Sequence, residues 1–126
     1  MTVLLDTNAF MMPVQCKVDL FEGLGELLGA FEPVVLAGVL EELEGLARGR
    51  GRDAAAARLG LSLAARCTAV PAEAGEKPVD GQLIAYAEKH SCPVATNDRG
   101  LRDALLSRGI SVISLQTNKK LGIFRR

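Results

Sequence analysis

The chain has 126 residues, 48% of them hydrophobic, which suits one domain with a sizeable core and excludes a disordered chain. Its 15 basic and 15 acidic residues cancel, so no global field draws it to nucleic acid or a membrane, and any contact with a polyanion must come from local patches. Three isolated cysteines, Cys16, Cys67 and Cys92, and the lack of a signal-like opening or of any apolar run near ~18 residues point to a cytoplasmic protein with no disulfide framework, zinc site or membrane partner.

Thr2-Val3-Leu4-Leu5 reads as a strand buried on both faces, because its apolar residues run without alternation. It stops on Asp6, which puts a carboxylate at a strand's carboxyl end, the edge where open α/β sheets bind ligands. Residues 9–14 read as an apolar loop containing Pro13, with Met11 and Met12 filling core or interface gaps. A helix follows, capped by Asp19, with Leu20, Leu24, Leu27 and Leu28 on one face and Gly29 at its end. Pro33-Val34-Val35-Leu36 is the second strand, and residues 38–47 return to helical spacing with Val39, Leu43 and Leu46 as their apolar stripe. Arg48-Gly49-Arg50-Gly51-Arg52 interrupts that pattern, and Asp53 reads as the cap of an Ala-rich helix running to about residue 66.

A short strand at 68–70 and a Pro/Gly/Glu loop at 71–78 lead to a helix at 79–90, where His90 is a cap or surface residue. Pro93-Val94-Ala95-Thr96 is the next strand and ends on Asn97-Asp98. A helix at 101–108, stopped by Gly109, precedes the last strand at 110–115. The expected division is a domain at 1–118 and a loosely held basic tail at 119–126. Strands alternating with helices throughout predict a parallel sheet covered on both faces.

Four acids can be argued onto the same edge. Asp6 and Asp98 end apolar strands, while Glu42 and Asp80 lie near the starts of helices that follow loops. Helical spacing places Glu42 with Val39 and Leu46, and Asp80 with Leu83, Ile84 and Ala87, so both are expected to face inward. An inward carboxylate is costly unless paired, hydrogen-bonded or metal-bound, and no inward Lys or Arg matches them. Taken singly, Asp98 could serve as a helix cap, and Glu42 and Asp80 as first-turn acids favoured by the helix dipole. Taken together, clustered carboxylates without His or Cys suit Mg²⁺ or Mn²⁺, one ion or two, and the water activation used in phosphodiester hydrolysis.

These segments resemble the motifs of the PIN domain family. Leu5-Asp6-Thr7-Asn8 is similar to its opening motif, Val39-Leu40-Glu41-Glu42-Leu43 to its second, Asp80-Gly81-Gln82-Leu83-Ile84-Ala85-Tyr86-Ala87 to its third, and Ala95-Thr96-Asn97-Asp98-Arg99-Gly100-Leu101 to its fourth. The resemblance covers essentially the whole chain. It implies a three-layer α/β/α fold with a parallel sheet of order 3-2-1-4-5, and an endoribonuclease that cleaves single-stranded RNA with Mg²⁺ or Mn²⁺. It further implies that Asp6, Glu42, Asp80 and Asp98 are the catalytic, metal-binding acids, supported by Asn8, Thr96 and Asn97. Where some relatives carry another acid, this chain has Gly100; Asp103 follows, on the surface side of its helix. The Thr96-Asn97-Asp98-Arg99 motif and the basic tail look more like ribosomal-RNA-processing PIN proteins than VapC toxins. The alternatives are a toxin ribonuclease paired with an antitoxin, and a weakly active RNA-binding or assembly module. A homodimer and a ribosome-assembly partner are further expectations.

Arg48, Arg50 and Arg52 are candidates for gripping RNA, or else a solvated helix end; Lys119 and Lys120 are candidates for a general polyanion contact. A phosphoacceptor of receiver type is excluded, because the third strand runs into Val70-Pro71-Ala72 with no aspartate. A phosphatase of the haloacid dehalogenase type would want an aspartate where Asn8 stands.

Overall fold

In a computed structural model that describes residues 1–71, 78–117 and 120–125, the centre of the protein is a six-stranded sheet of order β3-β2-β1-β4-β5-β6. Its strands are β1 (Thr2–Leu5), β2 (Glu32–Leu36), β3 (Thr68–Val70), β4 (Val94–Ala95), β5 (Val112–Leu115) and β6 (Leu121–Phe124). The first five are mutually parallel, in the expected order. Val3, Leu4 and Leu5 are fully buried, as a central parallel strand requires. β6 is a correction: residues 121–124, expected within a loose tail, pair antiparallel with β5, Leu115 opposite Leu121 and Val112 opposite Phe124. Leu121, Ile123 and Phe124 pack against the core, and that contact decides the matter over the flanking basic residues. Of the tail, Lys119 and Arg126 lie outside the described residues, as do Asn118 and 72–77 of the expected 71–78 loop.

Helices α1 (Thr7–Gln15), α2 (Leu20–Leu28), α3 (Ala37–Ala47) and α4 (Arg52–Ala64) precede β3, and α1 packs on each of the other three. The chain then crosses back through α5 (Val79–His90) to β4 and through α6 (Arg99–Ser107) to β5. Because such crossovers are right-handed, these two helices cover the opposite face and complete three layers.

Three boundaries depart from the expected ones, each for a local reason. The segment at 9–14 is helical: Asp6 caps it by accepting from the Ala9 N–H at 2.7 Å, and burial of Ala9, Phe10, Met11 and Met12 outweighs the hydrogen bond that Pro13 removes. Gly51, at φ 89°, rather than Asp53 precedes α4; Asp53 lies in the first turn and accepts from the Gln15 carboxamide at 3.1 Å. In α3 the buried stripe is Val39 and Leu43, with Leu40 and Ala47 packed beside it, so Leu46 turns out to solvent at 41% exposure.

Candidate active site

Every parallel strand of the sheet points its carboxyl end at one edge, and the four acids reach that edge from separate elements. Asp6 leaves β1 and is held there from three sides. Its N–H donates to the Ala95 carbonyl of β4 at 3.2 Å, its Oδ1 accepts from Ala9, and its Oδ2 accepts from the Thr96 hydroxyl at 2.5 Å. Thr96 is fully buried and also accepts from the Asp98 N–H at 3.0 Å, so one hydroxyl ties the ends of β1 and β4 together. Asp98 caps α6 through Oδ1, which accepts from the Leu101 N–H at 3.0 Å. Asn8 accepts from the Asn97 N–H at 3.2 Å, and the Asn97 carbonyl oxygen accepts from the Ser114 hydroxyl at 2.9 Å.

Glu42 approaches from the second turn of α3 and Asp80 from the first turn of α5. Both are exposed, which corrects the inward facing expected of them. Glu42 lies beside the Val39–Leu43 stripe rather than on it, and Asp80 begins α5 one turn before its first buried residue, Leu83. Asp6, Glu42, Asp80 and Asp98 all line one cleft of about 230 Å³, with Thr7, Asn8, Met11 and Leu83 completing its walls. Thr7, to which the sequence assigned no role, donates its hydroxyl to the Glu42 carboxylate.

The electrostatics report the same crowding. Burial pushes the Asp6 carboxyl from 3.8 up to about 7; the hydrogen bonds from Thr96 and Ala9 work against that rise, and the charges of Asp98 and Asp80 add to it. Asp80 is also raised, first by desolvation, then by Asp98 and Glu42. Asp6 and Asp80 each feel two of the other acids.

The residues at 3–118 match the family profile described as a PIN like domain. The chain belongs to the PIN family. Over 118 residues it is 35% identical to a protein named Ribonuclease VapC9 from Archaeoglobus fulgidus, covering 93% of this chain and 84% of that one. Among solved structures, the PIN domain endonuclease Utp24 superposes with a TM-score of 0.83 at 32% identity, covering 99% of this chain and 92% of the other. VapBC2 from Rickettsia felis, bound to a DNA fragment from its promoter, is similar in fold alone: TM-score 0.66 at 15% identity, covering 92% of this chain and 100% of that one.

Among the described residues of this PIN domain, no three His, Cys, Asp or Glu side chains stand close enough to grip one ion by themselves. The donor set nonetheless fits a hard divalent cation. Mg²⁺ keeps several waters and needs only one or two carboxylates, the substrate's oxygens supplying the rest, and this cleft offers carboxylates without imidazole or thiolate. Gly100, where some relatives carry an acid, adjoins the cleft: a Cβ there would stand 3.4 Å from Asp98 Oδ1.

The arginines of 48–52 lie elsewhere. Arg52 donates to the Val14 carbonyl at 3.3 Å, which places the segment at the C-terminal end of α1, roughly 13 Å of helix away from Asp6. A larger cavity, of about 450 Å³, opens at the sheet's amino edge beside Cys92, Ile110 and Met1. Its one carboxylate, Glu88, is taken by Arg108 at 3.3 Å, so it offers no comparable chemistry. His90 is exposed at the end of α5 and stacks on Tyr86, 4.1 Å between ring centroids. Asp103 is exposed beside Arg102, and no described helix is long and apolar enough to cross a membrane.

Proposed function

We propose that this PIN-domain protein is an endoribonuclease that hydrolyses phosphodiesters of single-stranded RNA and depends on Mg²⁺ or Mn²⁺. The observation that carries the reading is that Asp6, Glu42, Asp80 and Asp98, from four separate stretches of sequence, line one cleft. The relatives named as a ribonuclease and an endonuclease, at 35% and 32% identity, support it.

From these four acids one or two carboxylates would hold each ion, one or two in number, with water and RNA oxygens supplying the rest; when bound the ion would lower the pKa of a water and offset charge on the leaving oxygen of the RNA chain. Asp6 is the fixed member: Ala9 and Thr96 each occupy one lone pair on its two oxygens, leaving the others at set angles toward the cleft. Because its carboxyl titrates near 7 without an ion, it holds a proton part of the time at neutral pH, and cation binding must displace that proton. Among the described residues Asp98 Oδ2 accepts no hydrogen bond, while Oδ1 caps α6. Thr7 steadies Glu42, and Asn8 fixes the backbone between Thr96 and Asp98 through Asn97. Met11 and Leu83 give the cleft an apolar wall that limits competing water.

The role we favour is ribosomal RNA processing, on the look of Thr96-Asn97-Asp98-Arg99. A toxin ribonuclease held by an antitoxin is the second reading, favoured by the relative named VapC9. Cleavage of a labelled RNA with Mn²⁺ tests the enzyme: Asp6→Asn and Asp98→Asn should each lose about 10²-fold or more, the scale on which one lost electrostatic stabiliser is felt. Equal residual activity in wild type and both variants would leave only a binding or assembly module. Growth arrest on expression, relieved by a co-expressed partner, would favour the toxin.

A further inference from the structure

A polyanion entering a cleft with four carboxylates needs cations outside it, because the bound metal can offset charge only at the scissile phosphate. The sheet topology sorts the chain's cations by edge. The arginines of 48–52 lie at the far end of α1, as shown by the Arg52–Val14 bond, and Arg58 joins them through the Ala47 carbonyl at 2.9 Å. Arg66 stacks over Phe21, Arg108 pairs with Glu88, and Arg125 follows β6 at the amino edge.

Arg102, in the first turn of α6, lies over the Phe124 ring and 4.0 Å from Asp103. Arg99 and Lys120 stand at the carboxyl edge. Arg99 is the first residue of α6, next to the Asp98 cap. Lys120 stands before β6 in the hairpin that follows β5, and its carbonyl accepts from the Gln116 N–H at 2.8 Å, at the carboxyl end of β5. Both are exposed, and among the described residues neither forms an ion pair, although Arg99 adjoins an acid. Asn97 lies along the same strip: Ser114 of β5 occupies its carbonyl oxygen, leaving its amide N–H groups, which suit a phosphate or ribose oxygen.

We infer that Arg99 and Lys120 hold the RNA backbone on one side of the acidic cleft, so that the strand leaves over β4, β5 and the hairpin before β6 and not over the arginines of 48–52. The inference rests on the nuclease reading and goes beyond it by naming the direction of the substrate. Lys120 was one of several polyanion candidates in the sequence; Arg99 was none.

The test is single-turnover cleavage of a labelled oligouridylate by the full chain with Mn²⁺, measured across a KCl series. Arg99→Gln combined with Lys120→Gln should raise the half-saturating protein concentration and lower the log–log salt slope by about 1.4, on the basis of about 0.7 per lost phosphate contact on a single strand. The loss should fall on the half-saturating concentration, with the maximal single-turnover rate changed less than about twofold, and Arg99→Lys should keep the slope, since it keeps the charge. A merely structural role would move the melting temperature and not the slope. An unchanged slope in the double variant, with wild type still cleaving, overturns this inference alone, as does an equal loss in Arg48→Gln combined with Arg50→Gln. A wild type that neither cleaves nor retains the RNA overturns the nuclease reading, and this one with it.

Discussion

Replacing Asp6 by asparagine should stabilise the metal-free protein at neutral and alkaline pH. The folded-state carboxyl titrates at about 7 against a reference of 3.8. Below 3.8 both folded and unfolded chains are protonated and the site costs nothing. Between the two values the unfolded chain has released a proton that the folded chain keeps, so stability falls as pH rises, and above 7 the full penalty applies. At about 1.36 kcal/mol per pH unit that penalty is roughly 4 kcal/mol. Asparagine carries no charge and can still accept from Ala9, but it weakens the bond from Thr96, at a cost of about 1 to 2 kcal/mol. The net gain is about 2 to 3 kcal/mol near pH 8, or roughly 8 to 12 °C in melting temperature for a domain of this size, turning into a loss of about 1 to 2 kcal/mol near pH 4. Thermal melts of both proteins in EDTA across that range provide the measurement. A variant no more stable than wild type at pH 8, or a gap that does not vary with pH, would refute a buried carboxylate crowded by Asp98 and Asp80.

Further outcomes follow from the same geometry. Saturating Mg²⁺ or Mn²⁺ should restore wild-type stability by about 2.7 kcal/mol at a hundred times the dissociation constant. The same titration should move the Asp6→Asn melt far less. Asp98→Asn keeps an acceptor for the Leu101 N–H, so its unfolding free energy in urea should change by no more than about 0.5 kcal/mol while Mn²⁺-dependent cleavage collapses. The reverse pattern would make Asp98 a helix cap and nothing more. Gly60→Ala should cost about 1 to 3 kcal/mol in urea unfolding, because its Cβ would lie 2.9 Å from the Phe10 carbonyl oxygen where α4 crosses α1. A silent substitution there would mean that the two helices do not approach so closely.

Much of this was legible in the residues because backbone and side-chain signals agreed. Val3-Leu4-Leu5 could only be a central strand, and an aspartate ending it had to sit at the carboxyl edge; the same held for Thr96-Asn97-Asp98. What misled was local evidence that tertiary contact overrode. Pro13 looked like a breaker, yet the cap from Asp6 and the packing of Phe10 and Met12 sustain α1 through it. Leu121-Gly122-Ile123-Phe124 is short and flanked by basic residues, and its strand exists because β5 offers a partner. In α3, Leu43 served two candidate stripes, and choosing the one through Leu46 turned Glu42 inward when it stands on the flank. The bond from Thr7 to Glu42 spans 35 positions, and no spacing rule would have suggested it.

The antiparallel course of β6 has a practical consequence. Because that strand runs back toward the amino edge, Arg125 ends beside Met1, and both border the same cavity, on the side of the molecule away from the acids. A short peptide bridge could therefore join head to tail, and the circle could be reopened within residues 48–52, whose backbone is exposed and also remote from the acids. Such a rearranged chain should still fold and still assemble the carboxylates, since β1, β4 and the starts of α3 and α5 keep their places in space whatever their order along the chain.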